Sequence, residues 1–332
     1  MSIPYPERIR LAHLPTPVQK MENLSRELGA EIYIKRDDLT GVELSGNKVR
    51  KLEFLLADAM NRGADTIITT GGIQSNHCRA TAAACARIGL LCHLILRTEP
   101  PKPPYDGNLL LDYLFGAEIT YVPQPEFKKS EKTEFREIQD RIRAGGRKTY
   151  YFPVGGSIPM GAWGYTLAFE ELAGQLEGMG IEKAHLILAV GSGGTQTGLH
   201  LGRDFLGRSD FRITGFNVCD SPEYFRKYNA DLYNETVKRF NLSLENAGQD
   251  DFHLIGDYMG PGYAIPYPES METIRQVAEK EGIILDPAYT GKAFHGLLEE
   301  LKKGSVSKDL PIVFIHTGGI YGIFPQKDLF KF

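Results

Sequence analysis

Thr66-Ile-Ile-Thr-Thr-Gly-Gly-Ile-Gln-Ser-Asn-His77, running on through an alanine-rich stretch to Ile88, decides the fold. Thr66 to Thr70 are all β-branched and suit a buried strand; two glycines end it, and the alanines carry a helix straight after. The same rhythm recurs on either side. Leu90 to Leu96 and Glu118 to Val122 read as strands, Asn108 to Phe115 and Glu134 to Ala144 as helices. Thr149 to Val154 is a further strand before Gly155-Gly156. In the second half Ala162 to Leu176 is helical, His185 to Val190 a strand, Gly191 to Gly194 a loop and Thr195 to Leu206 a helix. Arg212 to Val218 is a strand, Glu269 to Glu281 a helix and Ile312 to His316 a last buried strand. Short apolar runs alternating with helical patterns of about 10–15 residues mean βαβ units. The fold class is therefore α/β, with mostly parallel sheets and helices on both faces. Ligands in such folds gather beyond the carboxyl ends of the strands, so every motif below is expected in such a loop or at the start of the helix after it.

The chain has 332 residues, 42% hydrophobic and 24% charged, enough for two domains or one large α/β unit. Lys and Arg number 38 against 42 Asp and Glu, and the net charge of −4 gives no general attraction to nucleic acid or anionic lipid. No basic stripe is present. No apolar run reaches the ~18–20 residues that span a bilayer. Met1 to Leu11, with Pro4, Pro6, Glu7, Arg8 and Arg10, lacks the apolar core of a secretory signal, so a cytoplasmic location is expected. Cys78, Cys85, Cys92 and Cys219 are scattered and lack C-x-x-C spacing; Cys78 and Cys85 read as small packing residues on a helix. The histidines form no H-x-x-x-H or H-E-x-x-H pair and no G-x-S-x-G elbow appears, which leaves no metal site and no serine triad to argue for. Glu99 to Pro104 and Ser243 to Asp251 read as connectors, the first a stiff surface loop.

Four segments could carry chemistry. Ser45-Gly-Asn-Lys48 precedes Val49, Leu52, Leu55, Leu56, Ala59 and Met60, which share a helical face. Asn47 is placed to cap that helix, with Lys48 in its first turn. The helix dipole opposes an ammonium there, which suits an amine that must become neutral and attack a carbonyl. Alone, the tetrapeptide is better explained as a solvated lysine on a helix end. Gly71 to His77 opens a helix whose amides can hold an anion, with Ser75 and Asn76 adding a hydroxyl and an amide; either could simply cap the helix.

Gly191-Ser-Gly-Gly-Thr195 follows a strand and precedes a helix. Its glycines let backbone N–H groups approach a phosphate, and Thr195 supplies a hydroxyl. It lacks the Gly-Lys-Ser/Thr of a Walker A loop, and Gln196 stands where a dinucleotide fingerprint needs its third glycine. Asp220 does sit where a ribose-binding acid would, so a nucleotide site is weakened and not eliminated. Near the C-terminus, Gly260 to Tyr263, Asp286 to Lys292 and His316 to Gly319 set hydroxyl side chains beside glycine or proline. Among 16 tyrosines, position alone does not single out Tyr263 and Tyr289.

In their order these segments resemble the fold-type-II pyridoxal-phosphate enzymes of the D-cysteine desulfhydrase and 1-aminocyclopropane-1-carboxylate deaminase family. The resemblance starts at Leu14-Pro-Thr-Pro17, Tyr33-Ile-Lys-Arg-Asp-Asp38 and Ser45-Gly-Asn-Lys-Val-Arg-Lys-Leu-Glu-Phe54. It continues through Gly71 to His77 and Gly191 to Thr195, then Leu285-Asp-Pro-Ala-Tyr-Thr-Gly-Lys292 and Phe314-Ile-His-Thr-Gly-Gly319. Asn217-Val-Cys-Asp220 and Pro222-Glu-Tyr-Phe225 are most similar to the plant-type desulfhydrases.

The resemblance implies two open, mostly parallel sheets like those of the tryptophan synthase β chain. It implies pyridoxal phosphate between a small domain of residues 50–158 and a large one of 1–49 plus 159–332, in a homodimer. Lys48 would hold the cofactor covalently, with Asn76 beside its phenolic oxygen. Gln74 and Ser75, with Asn76 and the local amides, would hold the substrate carboxylate and handle protons. Gly191, Ser192, Gly193, Gly194 and Thr195 would form the phosphate cup, and Tyr263 and Tyr289 would lie over the reacting carbon.

Thr290 and Thr317 stand where the ring-opening deaminases have Glu and Leu. A neutral hydroxyl toward the pyridine nitrogen makes a weaker electron sink than a carboxylate does, and losing a good β leaving group demands less of that sink than ring opening. The expected activity is β-elimination of D-cysteine to pyruvate, ammonia and hydrogen sulfide, with the Lys48 amine, helped by Ser75 or Tyr289, taking the α-proton. Alternatives within the fold are 1-aminocyclopropane-1-carboxylate deaminase and L-cysteate sulfo-lyase. Outside it stands a catalytically inactive nucleotide-binding regulatory protein.

Overall fold

A computed structural model describes residues 3–98, 103–123 and 134–331, so most of the Glu99–Pro104 connector lies outside the described residues. A six-stranded sheet has the order β1 (Val18–Lys20), β2 (Ile32–Lys35), β10 (Ile312–Ile315), β7 (His185–Val190), β8 (Arg212–Asn217), β9 (His253–Ile255). Its strands are parallel except β1, which pairs antiparallel with β2. Phe314 lies between Ile34 and Ile187 in register. A four-stranded parallel sheet has the order β5 (Glu118–Val122), β4 (Leu91–Arg97), β3 (Thr66–Gly72), β6 (Thr149–Tyr151). Strands β2, β7 and β10 are buried along their whole length, which is why they read as continuous apolar runs rather than alternating ones.

The helices are α1 (Glu22–Leu28), α2 (Asn47–Asn61), α3 (Asn76–Ile88), α4 (Gly107–Leu114) and α5 (Glu134–Ala144), then α6 (Pro159–Gly178), α7 (Gly194–Phe205), α8 (Pro222–Arg239), α9 (Pro268–Glu281) and α10 (Thr290–Lys303). Helix α6 is central. A Cβ on its Gly164 would lie 2.6 Å from the Arg50 carbonyl oxygen of α2, and one on Gly198 of α7 would lie 2.4 Å from the Ala162 carbonyl oxygen. Glycine at both places lets three helices touch backbone to backbone. All four cysteines are free, with Cys78, Cys85 and Cys92 buried. No helix among the described residues is long and apolar enough to cross a membrane.

A buried ionic cluster clamps α2. Arg50 Nη2 lies 2.8 Å from Asp37 Oδ1 and 2.9 Å from Glu171 Oε1 of α6, and Lys35 Nζ lies 2.5 Å from the same Glu171 oxygen. Thr16 Oγ1 and the Tyr165 hydroxyl also donate to Asp37. The first turn of α2, which carries Lys48, is therefore held from below.

The strand orders place the site. In the smaller sheet the chain runs from β3 to β4 to β5, then crosses to β6 on the other side of β3. In the larger one β8 and β9 lie to one side of β7 and β10 to the other. Loops at each reversal part and leave a crevice.

Some sequence expectations need correction. The strand from Thr149 ends at Tyr151; Val154–Gly156 is a 3-10 turn in which Gly155 has φ 71°. Met60 is exposed at the end of α2, while Val49, Leu52, Leu55, Leu56 and Ala59 are buried. The turn carrying Tyr289 follows helix α9, not a strand.

Candidate active site

Loops at the carboxyl ends of β3, β6, β7, β8, β9 and β10 line one cleft of about 940 Å³. Lys48, Ser75, Asn76, Gly191, Ser192, Gly193, Thr195, Tyr263, Tyr289 and Thr317 all border it. Gln74, Gly194 and Thr290 do not.

Asn47 does not cap α2. Gly46 occupies that position with φ 94°, and the Asn47 side chain instead donates to Thr195 Oγ1 at 3.1 Å while its N–H donates to the Thr317 carbonyl at 3.1 Å. The start of α2 is thus stitched to the loops after β7 and β10, because the glycine turn brings it against both. A Cβ on Gly46 would lie 2.7 Å from the Thr317 carbonyl oxygen. Lys48 enters the cleft half-buried, and burial lowers its amine to about 8, against the opposing pull of Asp286 and Cys219. A neutral amine is then accessible near physiological pH. Accordingly, the rate at which this amine captures an aldehyde should climb with pH and level off above about 8, as followed by stopped-flow absorbance. A rate still rising steeply at pH 10 would mean an ordinary solvated lysine.

One end of the cleft is built for an anion. Gly193 has φ 75°, and a Cβ there would lie 2.2 Å from Asn229 Oδ1. Ser157 Oγ accepts from the Gly194 N–H at 3.3 Å and donates to Ser192 Oγ at 3.0 Å. Lys51, one helical turn beyond Lys48, brings its Nζ within 3.2 Å of the Gly155 carbonyl oxygen and 3.4 Å of Ser157 Oγ. Burial, then the charge of Lys48, pushes Lys51 well below its usual range. Among the described residues no carboxylate pairs with it. A buried amine with only neutral partners, set beside glycine amides, fits a phosphate dianion. Gly193→Ala should cost about 1–3 kcal/mol in strain; thermal denaturation of the variant checks it.

At the start of α3, Ser75 Oγ accepts from the Cys78 N–H at 3.2 Å, so Ser75 does cap the helix while its hydroxyl borders the cleft. The Gln74 carboxamide turns away: Nε2 donates to the Asp106 carbonyl at 3.0 Å and Oε1 accepts from the Asn108 N–H at 2.9 Å, bracing the start of α4. The hydroxyls of Tyr263 and Tyr289 bond to each other. Burial raises both phenols, Tyr289 well above its usual value, so they are donors at neutral pH and not bases. Thr290 donates to Asp286 Oδ1 at 2.7 Å and accepts from the Asp286 N–H at 2.7 Å, closing the turn before α10. Thr317 is the threonine of the pair that faces the cleft.

Sequence reading missed several contributors. Lys51 was signalled by its i, i+3 spacing from Lys48. Ser157 follows a glycine pair that had served only to end a strand. Arg97, at the end of β4, stands 4.7 Å from the Tyr263 ring centroid, and Cys219 donates to the Gly191 carbonyl at 3.4 Å. Neither had a local signature. Among the described residues no three His, Cys, Asp or Glu side chains converge as a metal site.

A family profile described as pyridoxal-phosphate dependent enzyme matches residues 9–318. The chain is 41% identical over 326 residues to the mitochondrial bifunctional D-cysteine desulfhydrase/1-aminocyclopropane-1-carboxylate deaminase of Arabidopsis thaliana, covering 96% of this chain and 79% of that relative. It is 39% identical over 327 residues to the D-cysteine desulfhydrase of Salmonella newport, covering 96% and 95%. The crystal structure of an ACC deaminase homologue matches with a TM-score of 0.86 at 39% identity, covering 98% of this chain and 95% of that one.

Proposed function

We infer that this chain, which belongs to the family of pyridoxal-phosphate dependent enzymes, is a carbon–sulfur lyase that eliminates hydrogen sulfide from D-cysteine. The fold is fold-type-II and the cofactor is pyridoxal phosphate. The residues present fit that group: Gly191, Ser192, Gly193 and Thr195 at the anion end, Lys48 and Asn76 all border one cleft, and the buried Lys51 amine lies behind the anion end against Gly155 and Ser157. The observation that carries the reading is geometric: Lys48 and the hydrogen-bonded phenols of Tyr263 and Tyr289 line the same cleft as the glycine loop after β7.

Bound there, pyridoxal phosphate supplies the electron sink for a carbanion at the α-carbon. The chain supplies the rest. The N–H groups of Asn76 and His77 at the start of α3 have no acceptor among the described residues, and with the Ser75 hydroxyl they offer a seat for the substrate carboxylate. Lys48 takes the α-proton. The C–S bond breaks with its electron pair on sulfur, and in this reading the Tyr263–Tyr289 pair, which lines the cleft, gives that sulfur a proton. Hydrolysis of the released enamine yields pyruvate and ammonia. Because both phenols are held protonated, Tyr289 acts here as acid, and the basic step falls to Lys48.

Thr317, a neutral residue, lines the cleft, and position 290 carries no carboxylate, which favours elimination over opening of a cyclopropane ring. The same reading takes residues 50–158 as one unit and 1–49 with 159–332 as the other, supported by the strands of each sheet falling wholly within one of them. It includes a cytoplasmic homodimer, whose mass light scattering would check.

The deciding experiment is a substrate panel of D-cysteine, L-cysteine, L-cysteate, D-serine, β-chloroalanine and 1-aminocyclopropane-1-carboxylate, assayed for α-keto acid. D-cysteine should give the highest kcat/KM, with sulfide released in equal amount. Preference for the cyclopropane amino acid would replace the desulfhydrase reading and leave the cofactor in place. A protein showing no visible absorbance with pyridoxal phosphate, and none lost with borohydride, would be a binder without this chemistry.

A further inference from the structure

Asn76 meets the cleft in one sense only, and that sense is set from outside it. Asn108, in the first turn of α4, is fully buried. Its Nδ2 donates to the Gln74 carbonyl and to Asn76 Oδ1, each at 3.0 Å, while its Oδ1 accepts from Arg79 Nε at 3.3 Å. Turned over, the amide would set oxygen against the Gln74 carbonyl and NH₂ against the guanidinium, so a single orientation survives. With its oxygen engaged by Asn108, and with no acceptor for its Nδ2 among the described residues, Asn76 has both N–H groups left for the cleft. Arg79 is itself buried, and its other nitrogens donate to the main-chain carbonyls of Glu43 and Ser45, just ahead of Lys48.

We propose that Asn108 and Arg79 are positioning residues that hold Asn76 as a hydrogen-bond donor toward an oxyanion in the cleft, the phenolate oxygen of bound pyridoxal phosphate. The proposal rests on the functional reading above. Neither residue borders the cleft. The guanidinium polarises the Asn108 amide, which polarises the Asn76 amide in turn, so the donor that meets the oxyanion is strengthened as well as aimed. The same guanidinium pins the loop that delivers Lys48, so the two groups flanking the cofactor share one anchor.

The test uses Asn108→Asp, Asn76→Ala and the double variant, each loaded with pyridoxal phosphate. Aspartate at 108 accepts from Arg79 and also from Asn76, so the Asn76 amide turns its oxygen to the cleft. In Asn108→Asp the dissociation constant for pyridoxal phosphate should rise about tenfold, the size of one lost hydrogen bond to a charged group. Visible absorption should shift toward the short-wavelength, un-ionised form, and kcat should fall roughly 10- to 100-fold with KM moved less than about threefold. In the Asn76→Ala background the same substitution should add less than about twofold, because the relay then ends nowhere. If Asn108→Asp does not fold, Asn108→Leu, which can neither donate to nor accept from Asn76, should weaken affinity and shift the spectrum in the same direction by a smaller factor, again with less than about twofold added in the Asn76→Ala background. A wild-type spectrum and affinity in the folded variant, or full additivity with Asn76→Ala, overturns the proposal. A wild-type protein that takes up no pyridoxal phosphate sinks the functional reading instead.

Discussion

Lys48→Ala is expected to leave a folded, colourless protein that releases no sulfide from D-cysteine. The substitution removes the amine that would link the cofactor and the base that takes the α-proton. General-base help is worth about 10²–10⁴-fold by itself, and loss of the covalent link adds to it, so kcat should fall by at least roughly 10⁴-fold. Stability should barely move. Lys48 is half-buried and makes no ion pair among the described residues, so the change should lie within about 1 kcal/mol, read by urea denaturation of the cofactor-free proteins. The pairing of intact stability with lost colour separates this residue from its neighbours in α2. Wild-type sulfide production by a pure Lys48→Ala protein would refute the assignment.

Arg50→Met, two residues further on, is expected to do the opposite: cripple folding, although Arg50 itself does not line the cleft. Arg50 and Asp37 are buried, and Glu171 and Lys35 complete the cluster. Removing the guanidinium leaves two carboxylates facing one ammonium, and breaking a buried pair from one side costs about 3–5 kcal/mol. Against a typical total of roughly 5–15 kcal/mol that is a large fraction. The loss should depend on pH. Burial acts to raise the Asp37 and Glu171 carboxyls, but Arg50 and Lys35 outweigh it and hold both below their usual values. Groups depressed in the folded state contribute stability above their unfolded pKa near ~4, and that contribution fades as pH falls through the folded values. Wild type should therefore weaken steeply below about pH 4, and the gap between wild type and Arg50→Met should narrow there. Denaturant midpoints at neutral and acid pH check both statements. A variant within about 1 kcal/mol of wild type at pH 7 would mean that the cluster is ornamental.

Legibility varied with how local each signal is. His185–Val190, Glu118–Val122 and Glu134–Ala144 are observed with the bounds that apolar runs and helical periodicity suggest. Strand β9 has three residues, of which Leu254 is buried, and three residues carry no period. Helix α8 escaped for another reason. Its buried face includes Asn229 and Thr236 beside Phe225, Leu232 and Val237, so the apolar stripe is broken by polar side chains that bond inside the fold. Within the site, Gly71 to His77 and Gly191 to Thr195 were visible because strand end, glycines and helix start are contiguous. Ser157 and the Arg79–Asn108–Asn76 relay were not, since their partners lie 29 to 106 residues away in the chain.

By itself, then, the amino-acid order determined what nearest neighbours can decide: where strands stop, where a glycine turn hands over to a helix, and that Lys48 sits at a helix start whose dipole disfavours its charge. Tertiary structure alone decided which side chains share the cleft. Thr290 and Thr317 are equivalent as letters, yet one closes a turn onto Asp286 and the other faces the cleft. Gln74 and Asn76 are two residues apart, yet one braces α4 and the other lines the site. The reason is physical. A buried polar group must find its partners, and those partners are brought within about 3 Å only when segments far apart in the chain pack together.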